Sequence, residues 1–433
     1  MKQARPYPRL VVSRKAAKSL SGGHPWVFAG EVLQANKMPN GSIVDVFEEN
    51  GTWQGAALYS AKSTIRARIV SRNANDRFDG EFWRRRIAWA WQHRVTTMGS
   101  RALCGAEKDT TCCRVLFSEA DGVPGLTVDK YENVLVAQVG TVGMELLRPV
   151  IYPLLLDVLR ESGEEVAGIY ERNDASVRSK EGLERYKGWW DGAPAAGEQA
   201  SGAPAAGERL EVRENGIRYC LDLENSQKTG FFLDQKYNRR AVRELAWNKR
   251  VLDCFCHVGP FGLNALAGRA ESVRFVDVSQ TALDLARANA ELNGYSTDGE
   301  RPQASFRCAD VLEYLPQLRN RQRMREEGGP FDLIVLDPPA FTKSRATMRN
   351  AARGYRDINA AALRLLPRGG YLATCSCSMH MTRDLLAAAI ADAAHSVNRQ
   401  LKQVEERQQA PDHPILWGFP ESHYLDFFVF QVV

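Results

Sequence analysis

The sequence has 433 residues, 44% hydrophobic and 25% charged, a balance that excludes a disordered chain and a length that exceeds one hydrophobic core, so two or three domains are expected. No apolar run approaches the roughly 18 residues of a membrane span, and Met1 to Pro8 lacks the apolar stretch of a signal peptide, so a cytoplasmic protein with no membrane partner is expected. The net charge of +5 is uneven, because residues 1–94 hold 16 Lys and Arg against 7 Asp and Glu and leave the rest at −4; an anionic partner would be drawn to the N-terminal part.

In chain order, residues 9–75 show short β patterns at Leu10–Val12, Trp26–Phe28, Ile43–Phe47, Trp53–Tyr59 and Ile65–Val70, with Pro39-Asn40-Gly41 and Asn50-Gly51 as turns. Residues 1–75 therefore predict a small β-barrel-like domain. Residues 79–98 predict a helix with Trp83, Ile87, Trp91 and Val95 on one face and Arg84, Arg85 and Arg86 on the other. Strands near 114–118, 126–129 and 134–139, a helix near 144–161 and a strand at 166–170 give a small α+β middle domain ending near 190. Within 191–209 the heptapeptide Gly192–Glu198 recurs as Gly202–Glu208; small residues with Pro and Gly have little to bury, so a flexible insertion is expected.

From residue 210 the pattern alternates β and α: strands at Lys249–Asp253, Ser272–Asp277, Phe331–Asp337 and Gly370–Thr374, with helices near 261–268 and 279–293. This predicts a Rossmann-like α/β domain over 210–433, a doubly wound parallel sheet with its ligands at the C-terminal strand ends. The first strand leads into Asp253-Cys-Phe-Cys-His-Val-Gly259-Pro260, where a glycine lets a ligand approach the backbone. Asp277 ends the second strand, 18 residues on, placed to bind ribose hydroxyls. That pair fits a nicotinamide dehydrogenase nearly as well as a methyltransferase. The fourth strand ends in Asp337-Pro338-Pro339-Ala340-Phe341, similar to loops of methyltransferases acting on bases or amides, and Phe341 is expected to stack on a flat base.

The next strand ends in Thr374-Cys-Ser-Cys377-Ser378. Cys377 is expected to face the same crevice as Asp337. A thiolate adding to C6 of cytosine would make C5 nucleophilic enough to take a methyl group, which is covalent catalysis. Alternation along the strand is taken to send Cys375 to the opposite face. His380 reads as a surface or capping histidine and His257 as a neighbour of the cofactor. The nine cysteines form no pair of Cys-x-x-Cys motifs, so no metal is expected.

Together, these motifs resemble the PUA-domain-containing bacterial methyltransferases that form 5-methylcytosine in 23S ribosomal RNA, over nearly the whole chain. His24–Phe28 and Ile65–Arg68 look like the family's PUA domain, Ser118–Gly125 its middle domain, and Lys228–Gln235 the lead into its catalytic domain. The resemblance implies S-adenosylmethionine as cofactor, surrounded by Phe231, Gln235, Asp253, Phe255, Gly259, Asp277, Asp310 and Asp337. It implies Cys377 as nucleophile, Asp337 as partner of the cytosine N3 edge, and Phe341, Arg66 and Arg68 as contacts to RNA. Ribosomal RNA, as the large subunit or an assembly intermediate, is the implied partner, and a homodimer is compatible. Relatives commonly carry Tyr-Thr-Gly-Gly where this chain has His257-Val-Gly-Pro260. A guanine N2 or N7 methyltransferase is the rival enzyme and would need no thiol. A catalytically inactive ribosome-assembly RNA-binding protein is the rival from another class, which binding of S-adenosylmethionine would separate.

Overall fold

The computed structural model describes residues 5–35, 38–99, 109–191, 209–224, 230–341 and 348–433. The repeat Gly192–Glu208 and the dipeptide Lys228-Thr229 lie outside them. The chain forms two compact units, the first from Met1–Val212, Leu221–Leu233 and Pro411–Ser422, the second from Arg213–Cys220, Asp234–Ala410 and His423–Val433.

The first unit carries two sheets. A six-stranded sheet runs in the order Trp26–Phe28, Ile65–Ser71, Trp53–Tyr59, Ile43–Glu48, Arg9–Val12, Val32–Ala35. Leu10, Val12, Val27, Val44, Val46 and Ala67 close its core, where the β-branched valines pack well on a pleated surface. Two elements were silent in the sequence pattern: the helix Arg14–Ser21, capped by Ser13, and the strand Val32–Ala35, mostly exposed. A second sheet joins Cys112–Phe117, Leu126–Tyr131, Val134–Val139, Gly168–Asn173 and Tyr186–Trp189. The helices Gly80–Met98 and Val142–Glu161 share its core, where Trp83, Ile87 and Trp91 lie at four-residue spacing with Leu155 and Leu159. The last sequence-predicted strand of this part, 166–170, begins two residues later and runs to Asn173.

The second unit is built on one seven-stranded sheet. Its strands are β1 (Arg250–Cys254), β2 (Ser272–Asp277), β3 (Ala304–Cys308), β4 (Leu333–Leu336), β5 (Tyr371–Ser376), β6 (Leu401–Gln408) and β7 (Asp426–Val432). They lie in the order β3-β2-β1-β4-β5-β7-β6. Strands β1 to β5 are parallel, but β7 enters antiparallel to both β5 and β6, so the sheet is mixed rather than wholly parallel. Helices α1 (Pro260–Ala267), α2 (Gln280–Leu292), α3 (Val311–Gln317), α4 (Met348–Leu365) and α5 (Arg383–Ser396) connect the strands. Val251, Leu252, Ile334, Val335, Leu372 and Ala373 are fully or almost fully buried, as expected of central strands covered on both faces. No helix among the described residues is long and apolar enough to cross a membrane.

Candidate active site

The register of the sheet brings three carboxylates to its C-terminal edge. Asp253 pairs with Phe275 on one side and Val335 on the other, so Asp277, at the end of β2, and Asp337, just past β4, lie two positions further along than Asp253. Leu336 is opposite Thr374, which brings Cys375 level with Asp337. These are the C-terminal ends at which a parallel sheet presents its ligand crevice.

The turn after β1 is shaped by glycine. Gly259 precedes α1 in the left-handed region, at φ +86°, with Pro260 as the first helical residue. Gly262 has no room for a side chain, because a Cβ would come within 2.2 Å of the Phe275 ring. The Gly262 N–H donates to Asp253 Oδ2 at 2.8 Å, while the other oxygen, Oδ1, is buried without a partner among the described residues. Burial pushes the Asp253 carboxyl up to about 8, with the nearby Asp337 and Asp277 adding to it and the Gly262 N–H and Arg239 opposing. Phe255 and His257 also adopt positive φ in this turn. Asp277 is half-buried; its Oδ2 accepts the His257 N–H and its Oδ1 the Ser279 N–H, each at 2.9 Å. Asp310, exposed, caps α3 by accepting from Leu312 N at 2.8 Å.

Around Asp337 the geometry corrects one expectation. Cys375 was placed on the far face, yet its thiol donates to Asp337 Oδ1 at 2.9 Å. Residues two apart on a strand share a face, and β5 stops at Ser376. Cys377 lies just past the strand, half-buried, with Sγ 3.8 Å from the Pro338 carbonyl. Both thiols therefore lie on the side of the Asp337-Pro-Pro turn. Burial and the adjoining Asp337 carboxylate push the Cys375 thiol well above its ordinary range, so it is a hydrogen-bond donor rather than a thiolate. Asp337 is itself raised by burial, against the opposing hydrogen bond from Cys375. Its Oδ1 also accepts from Gln235 Nε2 at 3.2 Å, and Gln235 is oriented by Asn238, which donates to its Oε1 at 2.6 Å. Among the described residues, Asp337 Oδ2 accepts no hydrogen bond.

The three residues expected to contact RNA each make contacts within the fold. Arg68 is buried, with Nη2 3.1 Å from Glu181 and Nε 3.6 Å from Glu119, so its charge is neutralised inside the fold. Arg66 donates to the carbonyls of Ser60 and Ala61, which fixes its guanidinium along the backbone. Phe341, half-buried, packs on Tyr355 with ring centroids 4.8 Å apart. Phe231 lies in the first unit, its backbone N–H and carbonyl meeting the Tyr131 hydroxyl at 3.0 and 3.3 Å. His380 does not cap α5; Thr382 does.

Sequence reasoning missed Arg239. It is buried, ion-paired to Glu214 at 2.7 Å, and is the cation that opposes ionisation repulsion among Asp253 and Asp337. Its only signal was a charged residue on the buried face of the helix Lys236–Leu245.

An orphaned buried carboxylate oxygen, a second carboxylate at the end of β2 and a turn opened by Gly259 between them fit a cofactor that carries positive charge and a ribose. Residues 173–418 match the S-adenosylmethionine-dependent methyltransferase family and residues 10–72 match the PUA-like domain. A protein called ribosomal RNA large subunit methyltransferase I from Klebsiella pneumoniae is 38% identical over 99% of both chains. Its namesake from Shewanella amazonensis is 41% identical over 96% of this chain and 97% of its own. The fold is shared with a crystal structure of the methyltransferase SMU.776 complexed with SAH, at TM-score 0.77 and 20% identity over 98% of this chain and all of the other. A SAM-dependent methyltransferase from Streptococcus mutans matches with TM-score 0.75, also at 20% identity, over 98% of this chain and all of that one. The chain belongs to the S-adenosylmethionine-dependent methyltransferases, with an N-terminal PUA-like domain and S-adenosylmethionine as its cofactor.

Proposed function

We propose that the protein methylates C5 of a cytosine in large-subunit ribosomal RNA, with Cys377 as the nucleophile. The Klebsiella and Shewanella relatives, both called ribosomal RNA large subunit methyltransferase I, support the RNA substrate. The observation that carries the chemistry is the pair of thiols at the Asp337-Pro-Pro turn: Cys375 is buried and donates to Asp337, while Cys377 is the more accessible of the two.

Asp253, Phe255, Gly259, Asp277 and Asp310 would hold the cofactor, with Asp277 on the ribose hydroxyls. Once bound, the cofactor supplies an electrophilic methyl group. The Cys377 thiolate adds to C6 of the cytosine, forming a C–S bond and shifting electron density to C5. Asp337, raised towards its protonated form by burial, presents a carboxyl whose Oδ2 is uncommitted to the N3 edge and steadies the adduct. After C5 is methylated, its proton passes to a base, the C5–C6 double bond re-forms and the C–S bond breaks to release the Cys377 thiolate. The base must leave its stack to reach Cys377, so an unpaired cytosine is the favoured substrate.

RNA containing 5-fluorocytosine tests this, since fluorine leaves no C5 proton to remove. A covalent protein–RNA adduct should accumulate only with S-adenosylmethionine present and map to Cys377. Cys377→Ala should abolish adduct and product, and Cys375→Ala should retain both. Methylation by Cys377→Ala would refute the thiol mechanism in favour of a guanine nitrogen.

A further inference from the structure

The helix Gly80–Met98 carries a group of residues that methyl transfer does not use. Trp83, Ile87 and Trp91 face the core, whereas Trp89 on the same helix is 60% exposed. Two guanidiniums stand near its indole, with Arg85 Cζ 5.8 Å and Arg86 Cζ 6.0 Å from the ring centroid. Beside it opens a cavity of about 260 Å³ lined by Arg86, Trp89, Ala90, His93, Asp121 and Pro414 among others.

The Ser118–Gly125 segment, whose turn-rich sequence stands out but which takes no part in methyl transfer, builds a wall of this cavity. Gly122 adopts φ +70°, and a Cβ there would come within 2.6 Å of Arg86 Nη1. Glycine at this position therefore makes room for the Arg86 guanidinium, which donates through Nη2 to the Val70 carbonyl at 2.9 Å. Asp121 does not cancel that charge. Its two oxygens clamp the fully buried Arg94 at 2.6 and 2.7 Å, and Oδ2 also accepts the Phe117 N–H at 2.6 Å. Arg85 is half exposed, its ion-pair partner Asp76 no closer than 3.8 Å. An accessible aromatic face is thus combined with two guanidiniums, and the carboxylate in the cavity wall is committed elsewhere.

We propose that Trp89 and its flanking arginines form a second RNA contact, in which one unpaired base stacks on the indole and its phosphate meets Arg85. The inference rests on the RNA substrate proposed above. Stacking on an exposed aromatic with adjacent cationic groups binds single strands without reading their sequence. The cavity is smaller than the roughly 300–1,000 Å³ of sites for larger ligands, a size suited to one flat base. Helical RNA, whose bases are stacked on each other, offers no face to the indole.

The test is fluorescence anisotropy with two labelled probes, a single-stranded polyuridine RNA and a perfectly paired duplex RNA. Trp89→Ala removes a mostly exposed ring and leaves the core intact. It should weaken binding of the single strand by about 5- to 150-fold and leave the duplex unchanged, while Trp89→Phe retains most of the affinity. Arg85→Ala should lower the salt dependence by about one unit of slope, as loss of one phosphate contact does. Affinity for S-adenosylmethionine should be unchanged in all three variants. Wild-type affinity of Trp89→Ala for polyuridine, or an equal loss on the duplex, would overturn the inference while leaving the RNA substrate standing. A wild-type protein that binds neither RNA would overturn both.

Discussion

Replacing Asp253 by asparagine isolates the electrostatic strain stored under the cofactor turn. Asp253 is 0% exposed, its Oδ1 has no partner among the described residues, and its carboxyl is pushed up to about 8 by burial. In the unfolded chain the same carboxyl loses its proton near pH 4. Between these values the folded protein binds a proton that the unfolded chain does not. This part of the stability is fully present below about pH 4 and is lost as pH rises, by about 1.4 kcal/mol per unit, until the decline ends above about pH 8. Asparagine keeps a carbonyl oxygen for the Gly262 N–H and cannot ionise. The stability of the Asp253→Asn variant relative to wild type should therefore grow by about 3–4 kcal/mol from pH 5 to pH 8, in cofactor-free protein unfolded with urea across that range. Titrating groups remote from Asp253 cancel in the difference. A gap that stays constant with pH would show that the carboxyl is already ionised in the fold and would refute the reasoning.

Three more outcomes are expected. Asp277→Ala should raise the dissociation constant for S-adenosylmethionine at least roughly tenfold, since hydrogen bonds to a charged group contribute about 1.5–3 kcal/mol each; titration calorimetry reads this directly. Cys375→Ala removes a buried donor to Asp337 and should cost about 1–3 kcal/mol of stability in denaturant unfolding, with methylation largely retained. Gly262→Ala sets a methyl group against the Phe275 ring and should destabilise by about 1–3 kcal/mol; thermal unfolding should show partial recovery when Phe275→Leu makes room.

The sequence made legible those strands that are short apolar runs closed by a carboxylate, as in Leu252-Asp253, Val276-Asp277 and Leu336-Asp337. Such runs advertise both burial and an end. Strand β3 was silent because it is an edge strand whose residues are mostly partly exposed, leaving no continuous apolar pattern. The antiparallel entry of β7 was hidden because strand direction is decided by neighbours distant in sequence. The same limit explains the site. Nothing local to Arg68 reveals Glu119 and Glu181, and nothing local to Phe341 reveals Tyr355. Cys375 was misplaced because residues two apart were read as alternating, whereas strand alternation puts neighbours on opposite faces and Cys375 and Cys377 on the same one.

The segment Pro411–Ser422 returns to the first unit after some two hundred residues devoted mainly to the second. There the Asp412 carbonyl accepts from the buried Arg94 at 2.9 Å, its carboxylate accepts the Arg114 N–H at 3.0 Å, and Phe419 packs edge-on against Trp26 with centroids 4.8 Å apart. The N-terminal unit, though first to leave the ribosome, is thus the one that must wait. Until residue 422 has been translated, Arg94 lacks one of its acceptors and the Trp26 ring one of its covers. The Asp121 clamp on Arg94 is available some 290 residues earlier, and it can hold that guanidinium in place during the interval. Vectorial synthesis therefore gives a partly assembled N-terminal unit that is finished by a late stretch of chain, and chain order and the order of structural completion diverge.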